Sequence, residues 1–479
     1  MKRLGIYVQV PFCQTKCTYC NFHTGVVAKE RFRPYVAAVC REIREHRELV
    51  RAAGVTWGTG PLQESREVNE CSHGGTARGE GAASRSSGQA SGENKETECA
   101  VDTVYFGGGT PSLLETRQLE DILEAIRETS GTNGSRSVEV EGGFSPPWAQ
   151  RTGAESNRAS VRPRREEGGP PDSNHNELAN RSGENQAVFQ EVTLEADPET
   201  VEEEKAAAWV RAGINRVSFG VQSFSDKELK AAGRMHRRTD IYRAVPILRE
   251  AGIRNISFDL IAGLPHQTKD SWKQSLAQLI SLEPEHVSVY LLEVDEGSRL
   301  GKALLTGSGQ YSAGAVPSED EMAEFYEMAR AALGAAGYRH YEISNWAKPG
   351  FRSKHNLKYW RREPYLGFGA GAHSFSGRQR WANAHDAAAY VRAIESGRLP
   401  LEQLETVTGE QALDEELFLG LRQLDGIDVG RIEREYGVTL GGRLEPLAAA
   451  GLLEREGDVV RLAEEKLSVS NEVFVELMK

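Results

Sequence analysis

Residues 11–20 read PFCQTKCTYC, and this stretch decides the fold prediction because it places three cysteines on one short loop. Cys13, Cys17 and Cys20 are spaced C-x-x-x-C-x-x-C. Thiolates are the usual ligands of iron–sulfur clusters, and three of them can hold three irons of a 4Fe–4S cluster. The fourth iron then stays open to a cofactor. The spacing therefore predicts a cluster with one exchangeable position.

A zinc site or a set of unrelated buried thiols is the alternative interpretation of this loop. Zinc usually takes four protein ligands, often from paired C-x-x-C motifs. No second pair follows, because Cys40, Cys71 and Cys99 are scattered along the chain. A distant histidine could still complete a zinc site. Six cysteines in 479 residues do not make a disulfide framework, and their clustering favours metal or redox chemistry.

Outward from the cysteine loop, apolar runs rich in β-branched residues alternate with amphipathic segments. This alternation predicts right-handed βαβ units and a parallel sheet. About six units are expected, which suits a partial (β/α)6 barrel. The predicted strands are 4–10, 101–106, 191–196, 215–221, 255–261 and 286–292, and the predicted helices are 31–52, 115–128, 201–212, 239–251 and 271–281.

Two polar segments interrupt this pattern, at about 60–99 and 131–186. They are rich in Gly, Ser, Glu and Arg and contain few large apolar residues. Such segments cannot bury enough apolar surface to offset the entropy of ordering, so we expect disordered insertions. They fall within an expected core domain of residues 1–300.

The pattern changes after the core. Residues 301–405 are expected to extend the barrel, with a helix at 319–336 and a strand at 338–343. Residues 406–479 are expected to form a small α+β, winged-helix-like domain that contains a hairpin at 452–462. Acidic residues outnumber basic ones there, which argues against DNA binding.

Charge and hydropathy exclude several classes of protein. The formal net charge is −12, and no basic stripe is present, so we expect no nucleic-acid partner. No run approaches the roughly 20 apolar residues that a membrane helix needs, although contact with a membrane surface stays open. We see no signal peptide and expect a cytoplasmic protein.

The C-x-x-x-C-x-x-C loop after a first strand resembles the signature of the radical S-adenosylmethionine (SAM) superfamily. The run YVQVPFC at residues 7–13 resembles the branch that contains oxygen-independent coproporphyrinogen III oxidase and the HemW-type haem chaperones. The resemblance covers nearly the whole chain except the two insertions. It implies that SAM chelates the open iron and that an electron from the cluster can cleave SAM to a 5′-deoxyadenosyl radical.

A glycine-rich segment, GGGTP at residues 107–111, follows the second predicted strand. Glycines allow the backbone to approach a ligand closely. The resemblance implies that Gly108, Gly109 and Thr110 contact SAM. No Gly-Lys-Ser/Thr follows, so the segment is not a nucleotide P-loop.

Polar residues end or follow the next predicted strands. The carboxyl ends of parallel strands meet at one opening, so side chains there can share a site. Alone, each such residue is more often a cap or turn signal. The resemblance implies that Glu195, Gln222, Arg234 and Asp259 bind SAM.

Two tyrosines flank the cysteines. By resemblance, Tyr7 and Tyr19 also match ligand-contacting positions. Core packing is the alternative interpretation of both.

Two departures separate this chain from the oxidase. The oxidase carries a further cysteine two residues beyond the third, whereas here Cys20 is followed by Asn21 and Phe22. The oxidase also has a long arm before its first strand, whereas the strand here begins almost at Met1. Both departures favour the chaperone.

The segment HNLKYW at residues 355–360 matches the H-N-x-x-Y-W segment of HemW-type proteins, which is associated with haem. Imidazole is a common axial ligand of haem iron, so His355 is a candidate ligand. A histidine packed by aromatic residues is the alternative, and His373 and His23 are rival candidates.

Together these features predict a haem chaperone that binds haem and a SAM-coordinated 4Fe–4S cluster and transfers haem to an unidentified acceptor protein. A radical coproporphyrinogen oxidase of porphyrin biosynthesis and a structural cluster protein without SAM are the alternatives.

Overall fold

The computed structural model describes residues 2–55, 97–130, 138–140 and 189–478. Most of the two polar segments predicted to be disordered lies outside the described residues. Two parts of them are described and belong to strands.

Thirteen strands of the described chain form one sheet, and three more form a small second sheet. The strands of the large sheet are β1 Lys2–Val10, β2 Thr97–Gly108, β3 Val138–Val140, β4 Glu191–Ala196, β5 Arg216–Gln222, β6 Asn255–Ala262, β7 His286–Leu291, β8 Arg339–Glu342, β9 Asn345–Ala347, β10 Tyr365–Phe368, β11 His373–Phe375, β12 Gln379–Asn383 and β13 Leu401–Thr406. The strands of the small sheet are β14 Ile427–Asp428, β15 Leu453–Glu456 and β16 Val459–Leu462.

Helices cover the large sheet and build most of the C-terminal region. Their bounds are α1 Phe32–Arg44, α2 His46–Ala52, α3 Thr116–Thr129, α4 Glu203–Ala212, α5 Asp226–Ala231, α6 Arg238–Ala251, α7 Lys269–Ser281, α8 Arg299–Leu305, α9 Glu319–Ala335, α10 Lys354–Trp360, α11 Ala387–Glu395, α12 Gly409–Leu421, α13 Val429–Tyr436, α14 Gly441–Ala449 and α15 Ser470–Leu477. No helix in the described part of the chain is long and apolar enough to cross a membrane.

Six parallel strands form the centre of the sheet, in the order β1-β2-β4-β5-β6-β7. Each is separated from the next by at least one helix, as right-handed βαβ units require. The prediction of a partial (β/α)6 barrel with a mostly parallel sheet is therefore confirmed. The strands are buried on both faces, and Val8, Val104, Phe219 and Phe258 are all fully buried.

The predicted elements match the structure closely, with two differences. The single helix predicted at 31–52 is two helices, because the chain leaves the helical conformation at Glu45. The second predicted insertion contains β3, which pairs antiparallel with residues 97–99 of β2. β2 likewise begins within the first predicted insertion, at Thr97. The prediction of disorder is therefore wrong for residues 97–99 and 138–140.

The chain beyond the core adds strands to both edges of the central sheet. At one edge β10 pairs parallel with β1, and β11, β12 and β13 continue antiparallel from it. At the other edge β9 pairs antiparallel with β7, and β8 follows it. The region after residue 300 therefore extends the central sheet at both of its edges.

The C-terminal region contains the predicted hairpin, in which β15 and β16 pair across a turn at Gly457 and Asp458. Gly457 adopts φ 61°, the left-handed conformation that such tight turns need. β14 pairs with β16, and α12, α13 and α14 lie in sequence before the hairpin.

Candidate functional site

A cavity of about 850 Å³ opens where the central strands end. The carboxyl ends of parallel strands meet at this side of the sheet, as they do in barrel enzymes. The cavity brings together nearly all of the residues predicted for the cluster and for SAM. Those that line it are Cys13, Cys17, Tyr19, Cys20, Gly108, Gly109, Thr110, Glu195, Gln222, Arg234 and Asp259.

The cysteine loop is held in place by backbone hydrogen bonds to distant segments. The amide of Cys13 donates to the carbonyl of Gly25, 3.1 Å away. The amide of Thr18 donates to the carbonyl of Ala232 at 3.0 Å, and the Thr18 carbonyl accepts from Leu300 at 2.8 Å. These contacts fix the loop over the cavity without using any cysteine side chain.

The three loop cysteines are free thiols. Burial raises the pKa of the Cys13 and Cys20 thiols above their ordinary value. The Arg234 guanidinium lies 3.6 Å from the Cys17 sulfur and can donate to it. Metal binding requires thiolates and displaces the thiol protons. A soft, three-thiol donor set on one ordered loop fits a 4Fe–4S cluster, and it leaves one iron without a protein thiolate.

The glycine segment packs directly against the cysteine loop. The amide of Gly109 donates to the Val10 carbonyl at 2.8 Å, and the amide of Thr110 donates to the Phe12 carbonyl at 2.7 Å. A Cβ atom on Gly109 would collide with the Phe12 carbonyl oxygen. The residue must therefore be glycine for the two segments to approach this closely.

Glu195 lies at the end of β4 with both carboxylate oxygens engaged. Tyr105 donates its hydroxyl to one oxygen at 2.8 Å, and the amide of Gly108 donates to the other at 3.1 Å. Burial raises the pKa of Glu195 to about 7, although both hydrogen bonds act in the opposite direction. A carboxyl group in a cavity wall whose pKa is raised to near 7 is typical of a functional site.

Asp197 and Arg234 form an ion pair across the cavity wall. Asp197 also accepts a hydrogen bond from the Thr110 hydroxyl at 3.0 Å, and Arg234 donates to the Gly220 carbonyl at 2.9 Å. This partly buried charge pair thus joins the glycine segment, two strands and the cysteine loop. An ion pair of this kind adds little net stability, and its main effect is to hold the surrounding segments in one arrangement.

Gln222 and Asp259 complete the predicted wall. Gln222 adopts φ 62°, an uncommon conformation for a residue with a Cβ, and strain of this kind clusters at functional sites. Asp259 accepts a hydrogen bond from the Ser218 hydroxyl at 3.1 Å, and burial raises its pKa. Both side chains lie on the cavity lining.

The two predicted tyrosines differ in position. Tyr19 lines the cavity beside the cysteines. Tyr7 is not part of the lining. Its hydroxyl donates to the Gln9 side chain at 2.8 Å, and its ring stacks 6.0 Å from that of Tyr105. These contacts fit the alternative interpretation of core packing, and SAM contact by Tyr7 stays a prediction.

His355 occupies a closed environment, contrary to the expectation for a haem ligand. Its side chain is buried and does not reach the cavity. One ring nitrogen lies 3.0 Å from the Thr103 hydroxyl and the other 2.9 Å from the Tyr359 hydroxyl. Burial lowers the pKa of His355 to about 3. Both ring nitrogens are thus engaged by protein hydroxyls, which fits the alternative of a histidine packed by aromatic residues, and haem ligation by His355 stays a prediction.

The rival histidines lie elsewhere. His23 follows the cysteine loop and is exposed, and its ring lies 4.0 Å, between centroids, from that of His385. His373 begins β11 and is also exposed. Burial and the neighbouring His385 lower its pKa. The structure thus brings both rivals to one side of the cysteine loop.

Sequence reasoning missed three residues at or beside the site. Asp197 directly follows the strand that contains Glu195. Tyr105 precedes the glycine segment by two positions, so strand alternation could have placed it on the same face as Gly107. His385 carries no sequence signal, because its neighbours come together only through pairing of distant strands.

The parallel sheet, the thiol loop and the polar strand ends define a radical SAM type of protein. Residues 92–279 match the family described as "Radical SAM superfamily", and residues 407–465 match the "HemN C-terminal domain". The fold is similar to that of coproporphyrinogen III oxidase (HemN) from Escherichia coli, with a TM-score of 0.67 over 100% of this chain and 89% of that one. At 18% identity this likeness concerns the fold alone.

Curated relatives narrow the class further. "Heme chaperone HemW" of Haemophilus influenzae is 39% identical and matches over 77% of this chain and 70% of its own length. The protein of that name from Synechocystis is 30% identical over 88% and 78%, and that from Bacillus subtilis is 29% identical over 98% and 97%. The chain belongs to the HemW family.

Proposed function

We propose that this protein is a haem chaperone that carries a SAM-bound 4Fe–4S cluster and delivers haem to an acceptor protein. Membership of the HemW family supports the chaperone role. One observation separates it from the oxidase. Position 22, where the oxidase branch has its additional cysteine, is Phe22, an aromatic side chain that is 66% exposed at the cavity.

In this proposal Cys13, Cys17 and Cys20 hold the cluster. When bound together, the cluster and SAM supply reductive cleavage of the sulfonium, which is chemistry of the cofactor rather than of the protein. The Arg234 side chain keeps a positive charge beside the Cys17 sulfur.

The remaining wall residues bind and orient SAM. The Tyr105 hydroxyl and the Gly108 amide fix the position of the Glu195 carboxylate, which can then accept hydrogen bonds from SAM. The Gly108–Thr110 backbone provides close approach, and Gln222 and Asp259 supply polar groups from the next strands. Polar groups that the fold already holds in place can bind a charged cofactor without having to rearrange.

The proposed setting is the cytoplasm, because free thiols and a cluster need a reducing compartment. The partners are haem and a haem-acceptor protein, with no role for nucleic acid. The proposed division of the chain is a radical SAM core at 1–300, a barrel extension at 301–405 and a C-terminal domain at 406–479.

The test is an anaerobic haem titration followed by transfer. Purified, iron-reconstituted protein is titrated with haem, then mixed with apomyoglobin, and the Soret band is followed. We expect saturable binding of haem and its movement to the acceptor. Protein that binds no haem, or that instead converts coproporphyrinogen to protoporphyrinogen with SAM and reductant, contradicts the proposal.

A further inference from the structure

Two histidines from distant parts of the chain stack beside the cysteine loop. His23 belongs to the loop segment that follows Cys20, and His385 lies between β12 and α11. Their ring centroids are 4.0 Å apart and their planes are inclined by 33°. The barrel extension, through the pairing of β10 with β1, brings His385 to this place.

The His385 ring is positioned by packing. Its backbone amide donates to the Glu402 carboxylate at 2.9 Å. Its Nδ1 is buried and has no hydrogen-bond partner among the described residues. A Cβ on Gly371 would lie 2.9 Å from that Nδ1, and Gly371 adopts φ 73°, so only glycine leaves room for the ring.

Two buried histidines of the described chain, His286 and His355, are instead bound by protein hydroxyls. His286 lies between the Ser257 and Tyr341 hydroxyls, both at 2.8 Å. His355 is enclosed in the same way. Neither His23 nor His385 has a side-chain hydrogen bond within the described residues. An accessible imidazole with uncommitted nitrogens is the kind of group that binds haem iron.

Exposed apolar side chains lie on the same loop as His23. Phe22 is 66% exposed, Val26 59% and Val27 40%. Large apolar side chains grouped on one exposed segment typically mark a binding surface. A flat macrocycle held by an imidazole can cover such a surface, and the aromatic ring of Phe22 can pack on it.

We propose that His23 is the axial ligand of haem iron, that His385 is a positioning residue stacked against it, and that Phe22, Val26 and Val27 form the apolar contact for the macrocycle. This inference rests on the proposed haem-binding function and names its site. Phe22 lines the cluster cavity, and Gly25 is bonded to Cys13, so haem would bind directly beside the cluster loop.

The test compares three variants of the full-length, cluster-loaded protein by anaerobic haem titration. His23→Asn is expected to lose the wild-type Soret maximum and to weaken haem binding by about tenfold or more. His385→Ala is expected to shift the Soret maximum and the haem EPR signal while binding persists. His340→Asn is the matched control, because His340 also stacks on a ring at 4.0 Å, that of Trp346, at the opposite edge of the sheet. It is expected to leave the haem spectrum unchanged.

The cluster absorbance of each variant shows whether the cysteine loop has kept its fold. A His23→Asn variant with intact cluster absorbance and a wild-type haem spectrum and affinity overturns the inference, while the chaperone proposal stands. Failure of the wild-type protein itself to bind haem overturns the proposed function instead. The two failures are therefore distinguishable.

Discussion

Glu195 and His355 lie on either side of Tyr105, yet their environments are opposite. Tyr105 donates its hydroxyl to Glu195, and its ring centroid is 5.2 Å from that of His355. Glu195 faces the cavity, and burial raises its pKa to about 7. His355 is enclosed, and its bonding capacity is used by two hydroxyls. Both residues look functional in the sequence, but of the two only Glu195 lines the cavity.

For these two residues, position along the sheet predicts contact with the cavity better than residue type does. Glu195 ends a parallel strand, where side chains enter the opening. His355 belongs to α10, which packs against β2, and its ring lies between the Thr103 and Tyr359 hydroxyls, away from the cavity lining.

The largest effect is expected at the cysteine loop. Cys17→Ala should abolish the cluster and with it SAM binding, because two thiolates cannot hold the cluster stably. The measurement is iron content and visible absorbance after anaerobic reconstitution. Cys40→Ala is the matched control: that thiol is buried in α1, away from the loop, and its loss should leave the cluster in place. Full cluster loading of Cys17→Ala would remove Cys17 from the ligand set.

The closed environment predicts a structural role for His355. His355→Gln should lower the free energy of unfolding by about 2–3 kcal/mol, because it disturbs two buried hydrogen bonds. Urea denaturation measures the loss. Haem affinity of the folded variant should stay at the wild-type value, and a selective loss of haem binding at unchanged stability would restore His355 as a ligand.

The stability of the wild type and that of His355→Gln are expected to depend differently on pH. Burial lowers the pKa of His355 to about 3, whereas the unfolded chain titrates near the ordinary value of 6.5. Below pH 6.5 the unfolded state takes up a proton that the folded state does not, so the wild type loses stability as pH falls towards 3. This contribution is at most about 1.4 kcal/mol per pH unit and is absent from His355→Gln, so the stability gap should narrow on acidification.

The open environment predicts that SAM affinity depends on Glu195. Glu195→Gln should weaken SAM binding by about tenfold, or ~1.4 kcal/mol, since it replaces a charged acceptor with a neutral one. In the wild type the affinity should also fall as pH drops below 7, because the raised pKa leaves Glu195 protonated there. Anaerobic calorimetry at pH 6–8 measures both. A wild type with the same flat profile as Glu195→Gln would contradict the assignment.

The smallest effect is expected at Tyr7. Tyr7→Phe removes one hydrogen bond to Gln9 and should cost about 1 kcal/mol of stability. Its SAM affinity should equal that of the wild type, because Tyr7 does not line the cavity. The same calorimetric titration checks this, and a weakened affinity would return Tyr7 to the SAM site.

The core of the fold was predictable because its signals are local. Strand and helix periodicity located the six parallel strands, and strand ends in such a sheet necessarily meet. The edge strands were not predictable in the same way. β10 and β11 are three or four residues long, and β10 pairs with β1, more than 300 positions earlier in the chain.

The site was predictable only in part, for a related reason. The cysteines and strand-end residues carry their signal in spacing and position. The partners of His355, by contrast, include Thr103, which is 252 positions away, and no local pattern shows that its nitrogens are already bonded. The stacking of His23 on His385 depends on the same long-range pairing.

The account depends most on an open iron next to three thiolates. EPR of the reduced, anaerobically reconstituted protein, recorded before and after addition of SAM, tests this directly. We predict about four irons per chain and a cluster signal that changes when SAM binds. Protein that carries zinc at the loop, or a cluster whose signal is identical with and without SAM, would contradict it.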